Sequence, residues 1–561
     1  METYKLSYMH NPGTKPLCAL TIGQTVSNAV KKWKNKEALV SIYQNQRFTF
    51  GEICDKADKL AAGLTQLGLK PSDMLGIWGP NSSEWFISRL AAARGGFIVV
   101  QIDPAYQAPQ LEYSINQVEI KILISTEFYK SNNCYDILCN TVPELNTCPD
   151  NAVELKCTKV PSLKRIIMMC DKQYKGTHQF NDIINSASPE SIEKINEQQN
   201  LIQPDDGCAI QFSSGTTGKP KGVLLSHHNL VNNVINLADR MNIQRESKIL
   251  ITTQFCHTAA TVFGILTGVV TGAAIVIPYP VFDSVKMLQG IIAERCTHMY
   301  AIPFIYTEMI EKLKEQNFKS ITSLECALYG GAPCFQQLAM DIKETLNVKH
   351  LVPAYGMTEV CGVFYGKLSD TLEQSTATLG CITEHVEVKV VDKAGCIVPI
   401  GTPGELWVRG YNVMLKYLGD EEKTRQFIRH GRWANTGDVI ILQEDGYAKF
   451  VGRSKDIIIR IVDNIFPTEI EEFFTLHPDV LEAEAFGVPD SKVGEEICIY
   501  LRLREGVKLS EDDIREYCKD KLPEYKIPRY IRFVKDFERT LIGKVKKAKL
   551  LEKLLKELET K

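Results

Sequence analysis

The sequence lacks the features that mark nucleic-acid-binding, zinc-binding or disulfide-rich proteins. Its 65 Lys and Arg against 68 Asp and Glu give a net charge of -3, so there is no basic excess for a nucleic-acid surface. None of its 17 cysteines forms a C-x-x-C pair, which removes the usual zinc pattern. An odd number of cysteines, spread through apolar stretches, indicates reduced thiols in a reducing compartment.

Targeting and membrane signals are also scarce. The first 46 residues contain no Arg and no long apolar run, so neither a mitochondrial presequence nor a secretory signal is predicted. Residues 259–282 carry no charged side chain and are numerous enough to cross a bilayer. Three glycines and two prolines divide this stretch, however. We therefore expect a buried helix followed by a buried strand there, and no transmembrane span.

What is present indicates a large α/β protein with more than one folding unit. At 561 residues and 44% hydrophobic content, three or four units of roughly 150 residues are expected. Predicted strands at 74–78 and 97–102 alternate with a helix at 84–94, which is typical of a largely parallel sheet. Residues 130–205 are polar and weakly patterned, and we expect surface excursions. Residues 457–561 form a compact α+β unit, with an amphipathic helix at 550–558 that packs rather than contacts membrane.

The densest unusual stretch is the loop between predicted strands at 208–212 and 223–225. Glycine lets its backbone approach a ligand, and hydroxyls, N–H groups and lysines can surround an oxyanion. Its spacing does not fit the Walker loop, and the alternative is a solvated hairpin. The candidate phosphate-binding residues are Ser213, Ser214, Gly215, Thr216, Thr217, Gly218, Lys219, Pro220 and Lys221.

Later in the chain, other motifs are individually weak but follow one another in a definite order. Tyr355, Thr358 and Glu359 place an aromatic ring, a hydroxyl and a carboxylate within five residues, suited to a base, a phosphate and Mg²⁺. Each remaining motif also has an ordinary explanation as a turn, a core residue or a solvated charge. These are His257 after Phe255-Cys256, the turn Gly331-Ala332-Pro333, Thr436-Gly437-Asp438, Arg453 in Gly452-Arg453-Ser454-Lys455-Asp456, and Lys544 after Gly543.

Taken together, the motifs resemble those of the adenylate-forming superfamily, which includes acyl-CoA synthetases, beetle luciferases and adenylation domains. The resemblance covers nearly the whole chain and implies a large N-terminal domain (1–452), a hinge (453–456) and a small, mobile C-terminal domain (457–561). It implies that Asp438 and Arg453 bind the ribose, and that His257 lines the carboxylate pocket. It also implies that Lys544 bridges the carboxylate and the α-phosphate.

Within the superfamily, the resemblance is greatest to the medium-chain acyl-CoA ligases, the family member two group. It implies that the enzyme uses ATP, Mg²⁺ and coenzyme A to activate a fatty acid, which is expected to be of medium chain length. The residues that line the acyl pocket and set this length lie far apart in sequence. Monomers or weak dimers are expected, without nucleic-acid partners. Because the chain begins where the mature mitochondrial relatives begin, the cytosol is the first choice and mitochondria the second. A luciferase-like enzyme and a non-catalytic nucleotide or lipid binder stay open as alternatives.

The chain departs from the superfamily pattern in two places. Where relatives usually have Gly-Gly-Glu-Asn, this chain has Ile461-Val462-Asp463-Asn464, and Ile542 replaces the usual Ser or Thr before Gly543. In the superfamily the glycine loop lines the pantetheine channel during thioester formation. Since glycine tolerates positive φ and close approach better than a β-branched residue, we expect adenylation to survive and the CoA step to be slowed. The alternative is that the loop has repacked and coenzyme A enters normally.

Overall fold

The computed structural model describes residues 5–213, 220–316, 318, 320–461, 463–490, 492–519, 521–540 and 543–559. No helix among them is both long and apolar enough to cross a membrane. The uncharged stretch folds as a helical segment, Thr258–Ala260, Thr261–Leu266 and Thr267–Thr271, followed by the buried strand Ala274–Ile277. This confirms the helix and strand that the sequence predicts.

Two large sheets, parallel except toward their ends, form the centre of the N-terminal region. The eight-stranded sheet contains, in spatial order, His178–Gln179, Arg165–Met168, Ile122–Ser125, Met74–Trp78, Ile98–Ile102, Gly207–Ser213, Lys221–Ser226 and Lys416–Tyr417. The nine-stranded sheet contains Cys381–Ile382, Cys361–Tyr365, His350–Met357, Cys326–Gly330, His298–Ala301, Lys248–Ile251, Ala274–Ile277, Glu37–Ser41 and Gln46–Thr49.

Two further sheets complete the chain. A five-stranded antiparallel sheet contains Tyr8–Asn11, Val386–Val391, Pro403–Gly410, Ala434–Leu442 and Ala448–Arg453. The C-terminal sheet contains Asp463–Ile465, Ile458–Arg460, Gly494–Leu503, Val480–Asp490 and Tyr530–Val534. A small hairpin pairs Phe128–Tyr129 with Asn132–Asn133. The C-terminal sheet takes all its strands from beyond residue 457, which agrees with the predicted α+β unit.

Most of the helices bury apolar residues against the core, whereas Glu421–Phe427 has no buried residue. Phe50–Gln66 begins with the capping box that Thr49 and Glu52 predict and ends just before Gly68. The helices are Ile22–Trp33, Phe50–Gln66, Ser83–Arg94, Ala108–Gln117, Cys134–Thr141, Phe180–Asn185, Pro189–Gln198, His227–Arg240, Thr258–Ala260, Thr267–Thr271, Ser284–Glu294, Pro303–Glu315, Gln336–Thr345, Leu372–Ala377, Glu421–Phe427, Pro467–Thr475, Glu511–Cys518 and Lys547–Glu559. Shorter 3₁₀ turns are Pro143–Thr147, His430–Arg432 and Glu524–Lys526, and Thr261–Leu266 is a π-helix.

One expectation is wrong. Residues 130–205 are not merely surface excursions, because this stretch supplies the sheet strand Arg165–Met168 and several core side chains. Leu138, Leu145 and Leu163 are fully buried and belong to the same apolar cluster as Trp78. The C-terminal helix Lys547–Glu559 does pack as expected, with Leu554 buried against the C-terminal sheet.

Candidate active site

The predicted ribose-binding residues meet at one carboxylate. Asp438 lies in the strand Ala434–Leu442 and pairs in register with Arg453 on the next strand. Arg453 Nε lies 3.2 Å from Asp438 Oδ1, and the Tyr355 hydroxyl donates a hydrogen bond of 2.6 Å to Oδ2. Burial and the Asp438 charge both raise the pKa of Tyr355, so the phenol stays a donor. Asp438 is therefore held in place from both sides, while each oxygen retains capacity to accept further hydrogen bonds.

The role of Tyr355 differs in emphasis from the sequence expectation. Its ring is buried and tilted against Phe364 at a centroid distance of 5.9 Å, and its hydroxyl contacts Asp438. The structure thus gives Tyr355 a hydrogen-bonding function that the motif did not indicate. Stacking on a base stays a prediction.

The candidate metal-binding residue, Glu359, lies in the turn after the strand His350–Met357. Its side chain is buried, and Oε1 accepts a 2.9 Å hydrogen bond from the hydroxyl of Tyr417. Its backbone carbonyl accepts from Met414 N at 2.8 Å, which anchors the turn. Thr358 precedes it and is half-buried. The described residues contain no group of three or more His, Cys, Asp and Glu able to hold a metal. A single carboxylate fits Mg²⁺, which keeps waters and substrate phosphates as ligands.

The two strands predicted on either side of the phosphate loop are present, and they pair as an antiparallel hairpin. Ser213 pairs with Lys221 at its mouth, and Ser213 Oγ is buried without a hydrogen-bond partner in the described chain. Tyr113 donates to the carbonyl of Pro220 at 3.0 Å, and Lys221 Nζ lies 4.7 Å from the ring centroid of Tyr417. The predicted loop residues Ser214, Gly215, Thr216, Thr217, Gly218 and Lys219 lie outside the described residues.

Lys544 of the C-terminal unit reaches this same region. Burial lowers the pKa of Lys544 to about 8, and the Arg453 cation acts in the same direction. The carboxylates of Asp438 and Glu359 oppose that shift, which identifies them as its electrostatic neighbours. The structure therefore brings the last sequence motif together with residues that precede it by 91 positions or more.

Glycines permit this approach. Gly543 has φ of +77°, and a Cβ atom there would lie 2.1 Å from Ile302 Cδ1. Gly331 has φ of +80°, and a Cβ atom there would lie 4.0 Å from Lys544 Cε. Gly331, Ala332 and Pro333 are exposed, and their binding to a ligand stays a prediction. Only glycine can adopt this positive φ at position 543 and also lie so close to Ile302.

His257 lies beside Lys544 at the start of the helical segment. Burial lowers the pKa of His257 to about 4, and the charge of Lys544 adds to this effect. The ring Nε2 has no hydrogen-bond partner in the described chain. A neutral ring with a free polar atom can contact a carboxylate substrate. By contrast, His227 accepts from Ile22 N at 3.1 Å inside the core, which supports the structural role that the sequence favours.

Two glutamines that sequence reasoning missed support the His257 loop. Gln101 Nε2 donates to the carbonyl of Phe255 at 3.0 Å and to Thr261 Oγ1 at 2.7 Å. Gln211 Nε2 donates to the carbonyl of Cys256 at 3.0 Å. Thr261–Leu266 is a π-helix, a form frequently found at functional sites. A polar residue inside a predicted buried strand was the available signal for both glutamines.

Family comparison agrees with this arrangement. Residues 26–418 match the AMP-binding enzyme family, and residues 469–544 match the AMP-binding enzyme C-terminal domain. The chain therefore belongs to the AMP-binding enzyme family. The match to the C-terminal domain ends at Lys544, and the family assignment confirms the superfamily that the motifs resemble.

Particular relatives span almost the full chain. It is 38% identical over 562 residues to medium-chain acyl-CoA ligase ACSF2, mitochondrial, of Danio rerio, covering 100% of this chain and 92% of that protein. It is 34% identical over 539 residues to the putative acyl-CoA synthetase YngI of Bacillus subtilis strain 168, covering 95% and 97%. The anthranilate CoA ligase AuaEII, solved with anthranoyl-AMP, has the same fold, with TM-score 0.83, 23% identity and coverage of 98% and 99%.

Proposed function

We propose that this chain is an AMP-forming acid–CoA ligase that activates a fatty acid, of medium chain length, with ATP and coenzyme A. The observation that carries the proposal is the approach of Lys544, from the C-terminal unit, to Gly331 of the N-terminal region, with Asp438, Glu359 and His257 as electrostatic neighbours of Lys544. One region thereby combines a cation, two carboxylates and a neutral imidazole. The names of the full-length relatives, both acyl-CoA enzymes, support the same reaction.

The charges suit the first half-reaction. A fatty carboxylate oxygen attacks the α-phosphorus of ATP, the bond to the bridging oxygen of pyrophosphate breaks, and acyl-AMP remains. Both reactants are anions, so the Lys544 ammonium and the Lys221 cation reduce their repulsion. Asp438 binds the ribose hydroxyls, and Arg453 and Tyr355 keep its carboxylate oriented. His257 contacts the acid.

The second half-reaction forms the thioester. The sulfur of coenzyme A attacks the acyl carbon of acyl-AMP, the thiol loses its proton, and AMP departs. Lys544 has no evident function in that step, since no pyrophosphate bond is broken. We therefore propose that the C-terminal unit rotates about residues 453–456 between the two half-reactions. The rotation would move Lys544 away from the active site and bring the hairpin that carries Ile461 towards it.

Mg²⁺ belongs to the proposal as a companion of ATP. Glu359 would hold it with one carboxylate oxygen, leaving the other on Tyr417, and the ion would neutralise charge on the phosphates. Glu359→Gln keeps the side-chain size but removes the charge. We expect acyl-AMP formation by this variant to need a higher Mg²⁺ concentration, and an unchanged titration would contradict a metal role.

The decisive experiment is ATP–pyrophosphate exchange with a panel of fatty acids from short to long, followed by acyl-CoA detection. Exchange with a maximum at medium chains is expected. Exchange without acyl-CoA would favour a luciferase-like or CoA-impaired enzyme, and no exchange with any acid would favour a binding protein. Mitochondria fit better than the cytosol, the first choice from sequence, because the Danio rerio relative is named as mitochondrial. Immunolocalisation of the natural protein tests this.

A further inference from the structure

We propose that Tyr417 is a positioning residue for adenylation, which couples the orientation of Glu359 to the phosphate loop through Lys221. The inference rests on the proposed function, because it gives Glu359 and Lys221 their ligands. Nothing in the sequence motifs singles out Tyr417, which lies 58 residues after Glu359. Its position in the fold explains how it reaches both side chains.

The backbone around Tyr417 is fastened to the strand that leaves the phosphate loop. Tyr417 pairs with Val223 in the antiparallel register of Lys416–Tyr417 and Lys221–Ser226. Leu415 N donates to the carbonyl of Leu224 at 2.9 Å, and Leu418 N donates to the carbonyl of Gly222 at 2.8 Å. Any displacement of this short strand would therefore also displace the base of the loop.

The Tyr417 side chain contacts a negatively charged and a positively charged side chain at the same time. Its hydroxyl donates to Glu359 Oε1 at 2.9 Å, and the face of its ring lies 4.7 Å from Lys221 Nζ. Phe427 packs against the ring at a centroid distance of 5.9 Å, and the whole side chain is buried. Tyr417 N also donates to Thr424 Oγ1 at 3.0 Å. The ring is therefore fixed from several directions.

These contacts have different chemical consequences. The hydroxyl occupies one oxygen of a buried carboxylate, fixing its rotation and leaving Oε2 for a cation. A hydrogen bond to a charged group is stronger than one between neutral groups, and a cation–π contact attracts an ammonium group to the face of the ring. The ring thus holds the Lys221 ammonium near the loop, while the hydroxyl aims Glu359. A purely structural tyrosine would fill space without affecting metal use.

The test separates hydroxyl from ring. In Tyr417→Phe the ring remains and the hydroxyl is lost, so the Mg²⁺ concentration for half-maximal acyl-AMP formation should rise about threefold to tenfold. Calorimetric affinity for ATP should fall by a similar factor with Mg²⁺ present and stay unchanged in EDTA. Tyr417→Leu removes the ring too, and should weaken ATP binding in EDTA as well, because Lys221 loses its support.

The chain offers a matched control in Tyr447. Its buried hydroxyl donates to Asp370 Oδ1 at 2.5 Å, and Lys367 Nζ lies 5.3 Å from its ring, which repeats the same chemistry away from the site. Tyr447→Phe should leave the Mg²⁺ titration and both ATP affinities unchanged. Thermal unfolding of each variant, followed by circular dichroism, measures how much each substitution lowers the stability of the protein.

The outcomes are distinguishable. If Glu359→Gln shifts the Mg²⁺ titration but Tyr417→Phe does not, the inference is overturned and the proposed function stands. If neither variant shifts it, the metal role of Glu359 falls and the inference falls with it. Equal effects of Tyr417→Phe with Mg²⁺ and in EDTA, or an equal effect of Tyr447→Phe, would reduce Tyr417 to a packing residue and also overturn the inference.

Discussion

At the residue scale, Lys544 is the clearest case of a side chain whose environment suits one chemical step. It is a buried cation whose neighbours include another cation, Arg453, as well as two carboxylates. Without substrate, burial and the Arg453 charge disfavour the protonated form of Lys544. A bound anionic substrate would stabilise that protonated form. The lysine is therefore prepared for a reaction that brings additional negative charge into the cleft.

Replacing Lys544 tests this assignment directly. Lys544→Ala should lower the rate of acyl-AMP formation by about a hundredfold or more, the scale of removing an important charge stabiliser. Conversion of supplied acyl-AMP to acyl-CoA should be nearly unchanged. Lys549→Ala is the control, since Lys549 is an exposed lysine five residues further on, in the helix Lys547–Glu559. Wild-type acyl-AMP formation by Lys544→Ala would contradict the assignment.

The lowered pKa also predicts a pH dependence. In the role proposed for Lys544, the protonated form stabilises the phosphates, and with a pKa of about 8 that form is lost as pH rises. Its loss should make kcat/KM for adenylation fall above pH 8, approaching tenfold per pH unit, because kcat/KM reports the free enzyme. The rate of the thioester half-reaction, measured with supplied acyl-AMP, should not fall above pH 8 through the deprotonation of Lys544. An adenylation profile that stays level from pH 7 to 10 would exclude the charged lysine as the active form.

At the element scale, local signals predicted many boundaries well and failed where burial depended on distant partners. The strand Met74–Trp78 agrees with the sequence to the residue, and the predicted helix at 84–94 begins one residue later than the observed Ser83–Arg94. Residues 130–205 failed because their short apolar segments become core only by packing on residues such as Trp78. The hydrophobic pattern within residues 130–205 gives no indication of these contacts with distant residues.

The same distinction holds within the candidate site. Motif order identified Glu359, Asp438 and Lys544 as candidates before any contact was known. The hydrogen bonds from Tyr355 to Asp438 and from Tyr417 to Glu359 span 83 and 58 residues, so no local pattern could reveal them. Sequence can give the identities of reacting groups, whereas the supporting contacts depend on strand pairing across the fold.

The hairpin formed by Ile458–Arg460 and Asp463–Ile465 carries an element-scale prediction. Ile461 has φ of +58° and is 69% exposed, a conformation that is strained for a β-branched residue and natural for glycine. Val462 lies outside the described residues. Replacing Ile461 and Val462 together by glycine should remove about 1–3 kcal/mol of strain at Ile461 and open the proposed pantetheine channel.

The expected result is a severalfold rise in acyl-CoA output, with pyrophosphate exchange nearly constant. Single-turnover measurements of both half-reactions check this. A native chain that already converts acyl-AMP to acyl-CoA as fast as acyl-AMP forms, with no gain in the double-glycine variant, would contradict the prediction.

At the scale of the whole molecule, an ionic contact holds the C-terminal unit in the position that delivers Lys544. Arg502 of the C-terminal sheet lies 3.4 Å from Glu308 and 3.8 Å from Glu311, both on the helix Pro303–Glu315. Arg502 also lies 2.9 Å from Glu482, which binds Arg539 at 2.6 Å. The Arg539 guanidinium stacks 4.0 Å above the Phe304 ring of that same helix. The two arginines thus connect the C-terminal unit to the N-terminal region through one helix.

Because this contact exists in the adenylation arrangement, weakening it should affect the two half-reactions unequally. Replacing Glu308 and Glu311 together by Gln removes the charges opposite Arg502 but keeps side-chain size. Partly exposed ion pairs contribute up to about 1 kcal/mol each, so acyl-AMP formation should fall about threefold to tenfold. Thioester formation from supplied acyl-AMP should stay constant or accelerate, since the unit is released more readily. Glu315→Gln is the matched control, because Glu315 lies on the same helix and pairs with Lys312. Stopped-flow assays of each half-reaction measure these rates, and equal losses in both, or the same loss in Glu315→Gln, would show that the contact does not select the adenylation arrangement.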